Sequence, residues 1–125
     1  MIDFNNKAYF KLKFADNKAF NSIITPILIE GEQIFSTFQS MRDGVVFTNM
    51  RILAINVQGI TGKKKDISSL PYSKIQAFSV ESAGVFDLDS ELELWFSSLG
   101  KVKFEFTGSC DISALCKLIS QYTLK

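Results

Sequence analysis

Two short segments near the end of the chain alternate apolar and polar side chains residue by residue. Residues 91–96 read ELELWF and residues 101–106 read KVKFEF, so every even-numbered position carries an aliphatic or Phe side chain. Successive side chains of a β-strand point to opposite faces, and this period of two predicts the two strands of one hairpin. Pairing apolar face with apolar face requires a loop with an odd number of residues, such as Ser98–Gly100. That loop places Trp95 on the outward face, opposite Lys103.

Turn residues divide the chain from about residue 30 onward into seven short extended segments. The sequence Arg42-Asp43-Gly44 predicts a hairpin turn, because Asp-Gly readily takes the positive φ values that such turns need. Strands in this number and spacing predict an antiparallel barrel or sandwich. The segments are Glu32–Met41, Val45–Thr48, Arg51–Gln58, Lys63–Leu70, Lys74–Ser82, Ser90–Ser97 and Lys101–Thr107.

The two ends of the chain follow other patterns. After Asp111, a plausible N-cap, the large side chains recur at the spacing of one helical face, which predicts an amphipathic helix that covers the open end of the strand layer. Residues 10–14 alternate like an edge strand, and Asp16 could cap a short helix that Pro26 limits. We therefore expect one domain over residues 1–125, with an N-terminal arm or short helix at 1–29, a barrel at 30–108 and a C-terminal helix at 109–125.

The composition argues against catalysis and against several classes of partner. The chain has no His, which removes the commonest general base and the commonest metal ligand, and Cys116 falls on the apolar face of the predicted helix. We expect no enzyme activity, no cofactor and no metal site. The net charge of +1 indicates no basic field for nucleic acid. Two cysteines and an N-terminus without a signal-peptide pattern predict a cytoplasmic location.

Five sequence blocks, taken in order, resemble the bacterial pleckstrin-homology family, which was long catalogued as a domain of unknown function. The resemblance implies an α+β fold in which a barrel of seven antiparallel strands in two packed sheets is capped by the C-terminal amphipathic helix. It also implies no catalytic activity and a tendency to form ring-like homo-oligomers. Met50 departs from the pattern, because the family more often has Lys there. The blocks are Phe47-Thr48-Asn49 with Arg51, residues 59–65 (GITGKKK), 71–75 (PYSKI), 78–81 (FSVE) and 87–92 (DLDSEL).

Apolar side chains that the barrel interior does not account for predict a contact surface. Trp95 faces outward, and Trp is enriched at the energetic centres of interfaces. Residues 51–58 are apolar on both faces, so their outer side needs a cover, either the N-terminal segment or a neighbouring subunit. We expect a non-catalytic binding or scaffolding module that associates with itself and presents a surface to another protein. The predicted contact residues are Trp95, Phe78, Val80, Phe10, Leu12 and Phe14.

Two charged runs have alternative interpretations. Lys63-Lys64-Lys65 does not match a phosphate-binding loop, and the run is typical of a solvated face or of an edge strand guarded against pairing. The alternative function is peripheral binding to an anionic membrane through these lysines, with insertion of Tyr9 and Phe10. The alternating carboxylates of residues 87–93 do not match a calcium loop, and we expect them to pair with Lys101 and Lys103 on the next strand.

Overall fold

The computed structural model describes residues 1–4, 9–82, 84, 89–108 and 110–124, apart from the side chains of Tyr9 and Phe10. Eight strands form one sheet in the order β5-β4-β3-β2-β1-β8-β7-β6. The sheet encloses one inner core, because each of the eight strands contributes at least one buried side chain to it. The strands are β1 (Tyr9–Ala15), β2 (Ile34–Ser40), β3 (Asp43–Thr48), β4 (Arg51–Gln58), β5 (Lys64–Pro71), β6 (Ile75–Glu81), β7 (Ser90–Phe96) and β8 (Gly100–Phe106).

The predicted combination of antiparallel strands and a C-terminal helix is confirmed, with eight strands in a single sheet where seven strands in two sheets were expected. The additional strand is β1. It is not an edge strand, because it pairs antiparallel with β2 and parallel with β8, with Leu12 opposite Phe106. The alternation of residues 10–14 predicts a strand but contains no information about a parallel partner some ninety residues later. The prediction of an edge strand was therefore wrong.

The β7–β8 hairpin confirms the odd loop but shifts it by one residue. Leu92 lies opposite Phe104 and Phe96 lies opposite Gly100, so the loop consists of residues 97–99. Apolar residues still face apolar residues, as the alternation requires. Trp95 lies opposite Lys101, and the predicted position opposite Lys103 was wrong.

The β2–β3 turn also lies earlier than the sequence predicts. The two turn residues are Met41 and Arg42, and Met41 takes the positive φ of 51°. Gly44 lies inside β3, where an added Cβ would be 2.2 Å from Cε2 of Phe20. Glycine is required at this position by the packing of an aromatic ring, and the turn does not require it.

The outer face of β4 is covered by the chain's own N-terminal segment. Leu53 and Ile55 form a second buried cluster with Phe20 and Ile24 of the arm. A neighbouring subunit is not needed as a cover, which removes one of the two sequence arguments for self-association.

The helix of the arm, α1 (Asn21–Ile24), begins five residues after Asp16. The carboxylate of Asp16 accepts a hydrogen bond from the backbone N–H of Lys18 at 2.7 Å, so Asp16 closes a separate turn and the prediction that it caps the helix was wrong. A 3₁₀ turn (Thr25–Ile27) that contains Pro26 follows α1 directly, as the limiting role of Pro26 predicts.

The C-terminal helix α2 (Ile112–Thr123) matches its prediction. The Asp111 carboxylate accepts a hydrogen bond from the N–H of Ala114 at 3.0 Å, which confirms the N-cap. Three residues of its apolar face are buried in the inner core, namely Leu115, Leu118 and Ile119. The helix packs against β6 and against a 3₁₀ turn (Tyr72–Lys74) that joins β5 to β6. Within the described part of the chain, no helix is long and apolar enough to span a bilayer.

Candidate functional site

The predicted contact residues of β1 differ in their environment. Leu12 is fully buried in the inner core, so its prediction as an interface residue was wrong. The alternation of β1 correctly distinguishes two faces, but the second neighbour, β8, closes the core over Leu12. Phe14 is 67% exposed and meets the ring of Phe38 edge-on, at 6.0 Å between centroids. The side chain of Phe10 lies outside the described part of the structure.

Trp95 lies on the opposite face of the sheet from Phe78 and Val80, the two predicted contact residues of β6. Phe78 and Val80 are opposite Leu94 and Leu92, which are inner-face residues, whereas Trp95 is opposite Ala77. Trp95 and Val80 are each 37% exposed, but an interface centred on one face cannot hold both side chains in the same patch. The expected grouping of Trp95 with Phe78 or Val80 was therefore wrong, because it ignored the parity of the β6–β7 register.

A ladder of charges lies beside Trp95 on the outer face of β7 and β8. Nζ of Lys103 lies 3.2 Å from Glu91 and 3.5 Å from Glu105, and Lys101 lies 4.0 Å from Glu93. The hydrogen bond to Glu91 raises the pKa of Lys103, and the charges of both carboxylates add to this. The predicted cross-strand pairing is confirmed for Glu91 and Glu93. Among the residues that the structure describes, no three possible metal ligands lie close together.

One end of the barrel combines exposed apolar side chains with positive charge. The β2–β3 turn and the β4–β5 loop are joined by a 2.7 Å hydrogen bond from Nη1 of Arg42 to the carbonyl of Gly59. Met41 is 96% exposed and Ile60 is fully exposed, beside the exposed lysines Lys63–Lys65. We call these residues the basic tip. Sequence reasoning missed Met41, Arg42 and Ile60, because they join the lysines only through tertiary structure.

The buried ion pair between Glu32 and Arg51 is the most extensively hydrogen-bonded polar centre in the described structure. The carboxylate of Glu32 accepts hydrogen bonds from Nε and Nη2 of Arg51, both at 2.9 Å, and from the Thr48 hydroxyl at 2.7 Å. Burial alone would raise the pKa of Glu32, but the hydrogen bonds from Arg51, Thr48 and the Ile29 amide, together with the Arg51 charge, lower it overall. Two residues of the family block at 47–51 therefore hold the chain segment before β2 against β4.

A second set of hydrogen bonds accounts for the rest of that block. Oδ1 of Asn49 accepts from the Gln33 N–H at 2.8 Å, and its Nδ2 donates to the Gly31 carbonyl at 3.0 Å. The buried Tyr72 hydroxyl donates to the Thr48 carbonyl at 2.8 Å, and burial raises the pKa of Tyr72. The polar side chains of this family block are thus occupied by internal bonds.

The described cysteines have no features of a nucleophilic site. Cys110 and Cys116 are both free and half-buried. Burial raises the pKa of the Cys110 thiol, the Asp111 charge adds to this, and a hydrogen bond with Ser90 opposes it. A raised pKa keeps the thiol protonated at neutral pH, which is the unreactive form.

The two outer strands of the sheet differ in charge. Among the described residues, β5 pairs only with β4, and β6 pairs only with β7. β5 begins with Lys64 and Lys65 and ends with Pro71, and these residue types discourage further pairing. In β6, residues 75–80 contain no charge and no proline, and Glu81 is the last residue of the strand.

Comparison with known proteins agrees with this architecture. The family profile described as the bacterial PH domain matches residues 3–123. The chain belongs to the bacterial pleckstrin-homology domain family. In the crystal structure of a DUF1696-family protein with a pleckstrin-homology domain from Shewanella loihica PV-4, 34% of aligned residues are identical, with a TM-score of 0.76 and coverage of 91% of this chain and 98% of that one. A pleckstrin-homology domain from Shewanella amazonensis SB2B is 37% identical, with a TM-score of 0.64 and coverage of 89% and 90%.

Two proteins of Bacillus subtilis (strain 168) are also similar in sequence. The uncharacterized protein YjqA is 54% identical over 71 residues, which span 57% of this chain and only 57% of YjqA. The uncharacterized protein YozO is 33% identical over 96 residues, or 77% of this chain and 82% of YozO. Neither the family description nor the names of these proteins mention a catalytic activity. This bacterial pleckstrin-homology chain is thus a relative of proteins whose biochemical roles are open.

Proposed function

We propose that this domain is a non-catalytic binding module that associates with further copies of itself through the outer face of β7 and β8. The observation that carries the proposal is the 37% exposure of Trp95 at the loop end of the charge ladder, opposite Lys101. Glu91 and Glu93 of β7 form a row there beside Lys101 and Lys103 of β8. A face that carries a negative row beside a positive row is complementary to a second copy of itself rotated by a two-fold axis.

A stable interface on this face would bury about 800 Å² on each partner, which is about a tenth of the 7461 Å² surface of the chain. Burial of one exposed indole together with the neighbouring ion pairs matches the usual distribution of binding energy, in which a few aromatic side chains dominate. The ring-like assemblies that the family resemblance implies also involve contacts between copies, and a ring needs a head-to-tail contact in addition, because a two-fold contact alone closes at a dimer.

Support for a non-catalytic role comes from the polar groups themselves. The sequence offers no His, and the ion pair of Glu32 with Arg51 is saturated by internal hydrogen bonds. The pKa of the Cys110 thiol is raised, in the direction opposite to that of a catalytic cysteine.

Light scattering after size exclusion tests the proposal. The wild-type protein is expected at a discrete multiple of 14.0 kDa. Trp95→Ala should lower that multiple while the thermal midpoint of the dissociated domain stays close to that of the wild type, because the indole packs little against the core. Ile29→Ala is the matched control, since Ile29 is also exposed but lies before β2. A monomeric wild type, or an unchanged mass for the Trp95 variant, would contradict the proposal.

A second candidate function is binding to an anionic membrane through the basic tip. Met41 and Ile60 are exposed apolar side chains, and Lys13 lies opposite Gln39, two residues before Met41. Together with Arg42 and Lys63–Lys65, Lys13 makes five cations, none of which forms an ion pair among the described residues. Each cation contributes about 1 kcal/mol near an anionic surface, and the two apolar side chains supply the second anchoring signal that charge alone lacks.

Co-sedimentation with vesicles distinguishes this candidate from self-association. Binding is expected to phosphatidylcholine vesicles that contain phosphatidylserine, and to disappear at high salt. Ile60→Ser should weaken it, whereas Ile29→Ser, at another exposed isoleucine away from the tip, should not. Equal sedimentation with pure phosphatidylcholine would rule out a charge-driven contact.

A further inference from the structure

The edge of β6 has the properties of an acceptor for another strand. Sheet edges expose unpaired backbone groups, and proteins normally block them with charge, proline or a covering element. β5 is blocked in this way, but residues 75–80 of β6 (IQAFSV) are uncharged and contain no proline. Most of this strand is exposed. Among the described residues, its first residue, Ile75, donates a backbone hydrogen bond to the Tyr72 carbonyl, and the other backbone partners of the strand belong to β7. We infer that β6 binds an extended segment of a partner protein as a ninth strand.

The inner face of β6 supplies contacts for the side chains of such a segment. Phe78 is half-buried against the inner core, and Val80 is 37% exposed on the same face. Every second side chain of an added strand would lie beside these two residues. Backbone hydrogen bonds then supply affinity, and the two apolar side chains favour an apolar residue at alternate positions of the segment.

The position of α2 determines which occupant fits. α2 packs against β6 and buries Leu115 and Ile119 on the inner side of the sheet. If the β6 edges of two copies paired, their strands would be only about 4.8 Å apart, and the two-fold axis would bring both α2 helices to the same side. A helix with its side chains is about 10 Å wide, so such a pair would crowd two helices around the shared axis. A segment without an accompanying helix avoids this crowding, which favours a partner peptide over a second copy.

Charges at the two ends of β6 orient the segment. Lys74 precedes the strand and Glu81 ends it, and both are exposed. In an antiparallel arrangement the N-terminal end of the peptide lies near Glu81 and its C-terminal end near Lys74. We therefore expect a segment that begins with a basic residue, alternates apolar and polar residues, and ends with an acidic one. This surface differs from the outer face around Trp95, so the inference goes beyond the proposed self-association.

The experiment uses a pool of octapeptides that begin with Lys, end with Glu and alternate Thr with Val, Ile, Leu or Phe. Members retained by the immobilised domain are resynthesised with a fluorescent label, and their affinity is measured by anisotropy. Each is then made with N-methyl groups at the odd internal positions only, or at the even internal positions only. Since alternate N–H groups of an added strand face the domain, one N-methylated peptide should lose at least about tenfold in affinity and the other should bind like the parent.

Two variants complete the test. Val80→Asp should weaken peptide binding about tenfold, whereas Ile29→Asp, at an exposed residue away from β6, should leave it unchanged. Failure of the pool to yield a binding peptide would overturn the inference, as would equal loss or equal retention of affinity for both N-methylated forms. A change of native mass in the Val80 variant without loss of peptide affinity would instead identify a second copy as the occupant. A monomeric wild type that still binds peptide would contradict the self-association proposal and leave this inference supported.

Discussion

Gly44→Ala is expected to destabilise the domain by displacing Phe20. The added Cβ would lie 2.2 Å from Cε2 and 2.3 Å from Cζ of the ring, well inside contact distance, and the ring is itself buried. Overpacking of this kind costs about 1–3 kcal/mol. Replacing glycine within a strand returns about 0.5–1 kcal/mol through the unfolded state. We therefore expect a net loss of about 1–2 kcal/mol in the free energy of unfolding.

A double-mutant cycle assigns that loss to the ring. Phe20→Leu removes the two ring atoms nearest to the new Cβ, so Gly44→Ala should become nearly neutral in the Phe20→Leu background, with a coupling of about 1 kcal/mol. Urea unfolding provides the measurement. Gly59→Ala is the control, because Gly59 has a φ of 78° and no neighbour within 4 Å of an added Cβ. Its cost comes from backbone strain and should be the same in both backgrounds. An equal loss from Gly44→Ala with and without the phenylalanine ring would refute the reasoning.

Three further changes test other contacts that stabilise the fold. Glu32→Gln should cost about 2–3 kcal/mol because it leaves Arg51 without its buried counter-charge. The pKa of Glu32 lies below its ordinary value of 4.5. Its contribution to stability is therefore complete above pH 4.5 and is lost as the pH falls through the lowered pKa. In urea unfolding, the difference in free energy of unfolding between the wild type and the Glu32 variant should narrow as the pH falls, and a constant difference would contradict this. Asp111→Ala should cost about 1 kcal/mol through loss of the bond from Ala114, measured as a lower thermal midpoint. Leu12→Ala should lower the free energy of unfolding by about 2–5 kcal/mol and leave the native mass unchanged. A changed native mass with unchanged stability would instead indicate that Leu12 is an interface residue.

Local periodicity in the sequence was sufficient to predict most of the secondary-structure elements. The alternation in residues 91–106 predicts two strands and an odd loop, and both are observed with the loop one residue earlier. The helical spacing after Asp111 predicts α2 together with its N-cap. Five ordered blocks of sequence predict the family, which the profile match confirms. These features depend on residues close together in the chain, so the sequence pattern contains them.

The candidate surfaces depended on contacts that no local pattern contains. The parity of the β6–β7 register places Phe78 away from Trp95, and the parallel neighbour β8 buries Leu12. Met41 and Arg42 reach the lysines of the basic tip through a hydrogen bond between separate loops. The exposed contact residues on different faces therefore belong to separate surfaces, for which separate experiments are needed.

Gly44 and residues 51–58 show which features the sequence determines by itself and which depend on the tertiary structure. From the residues alone it follows that β4 has two apolar faces and that its outer face needs a cover, because apolar surface of that extent is rarely left in water. The packing of Phe20 onto the outer face of the sheet identifies the segment that covers β4. The same packing explains why position 44 is a glycine. Periodicity is a property of neighbouring residues, whereas covering a face requires segments distant in sequence to meet, and only the folded chain specifies which of them do.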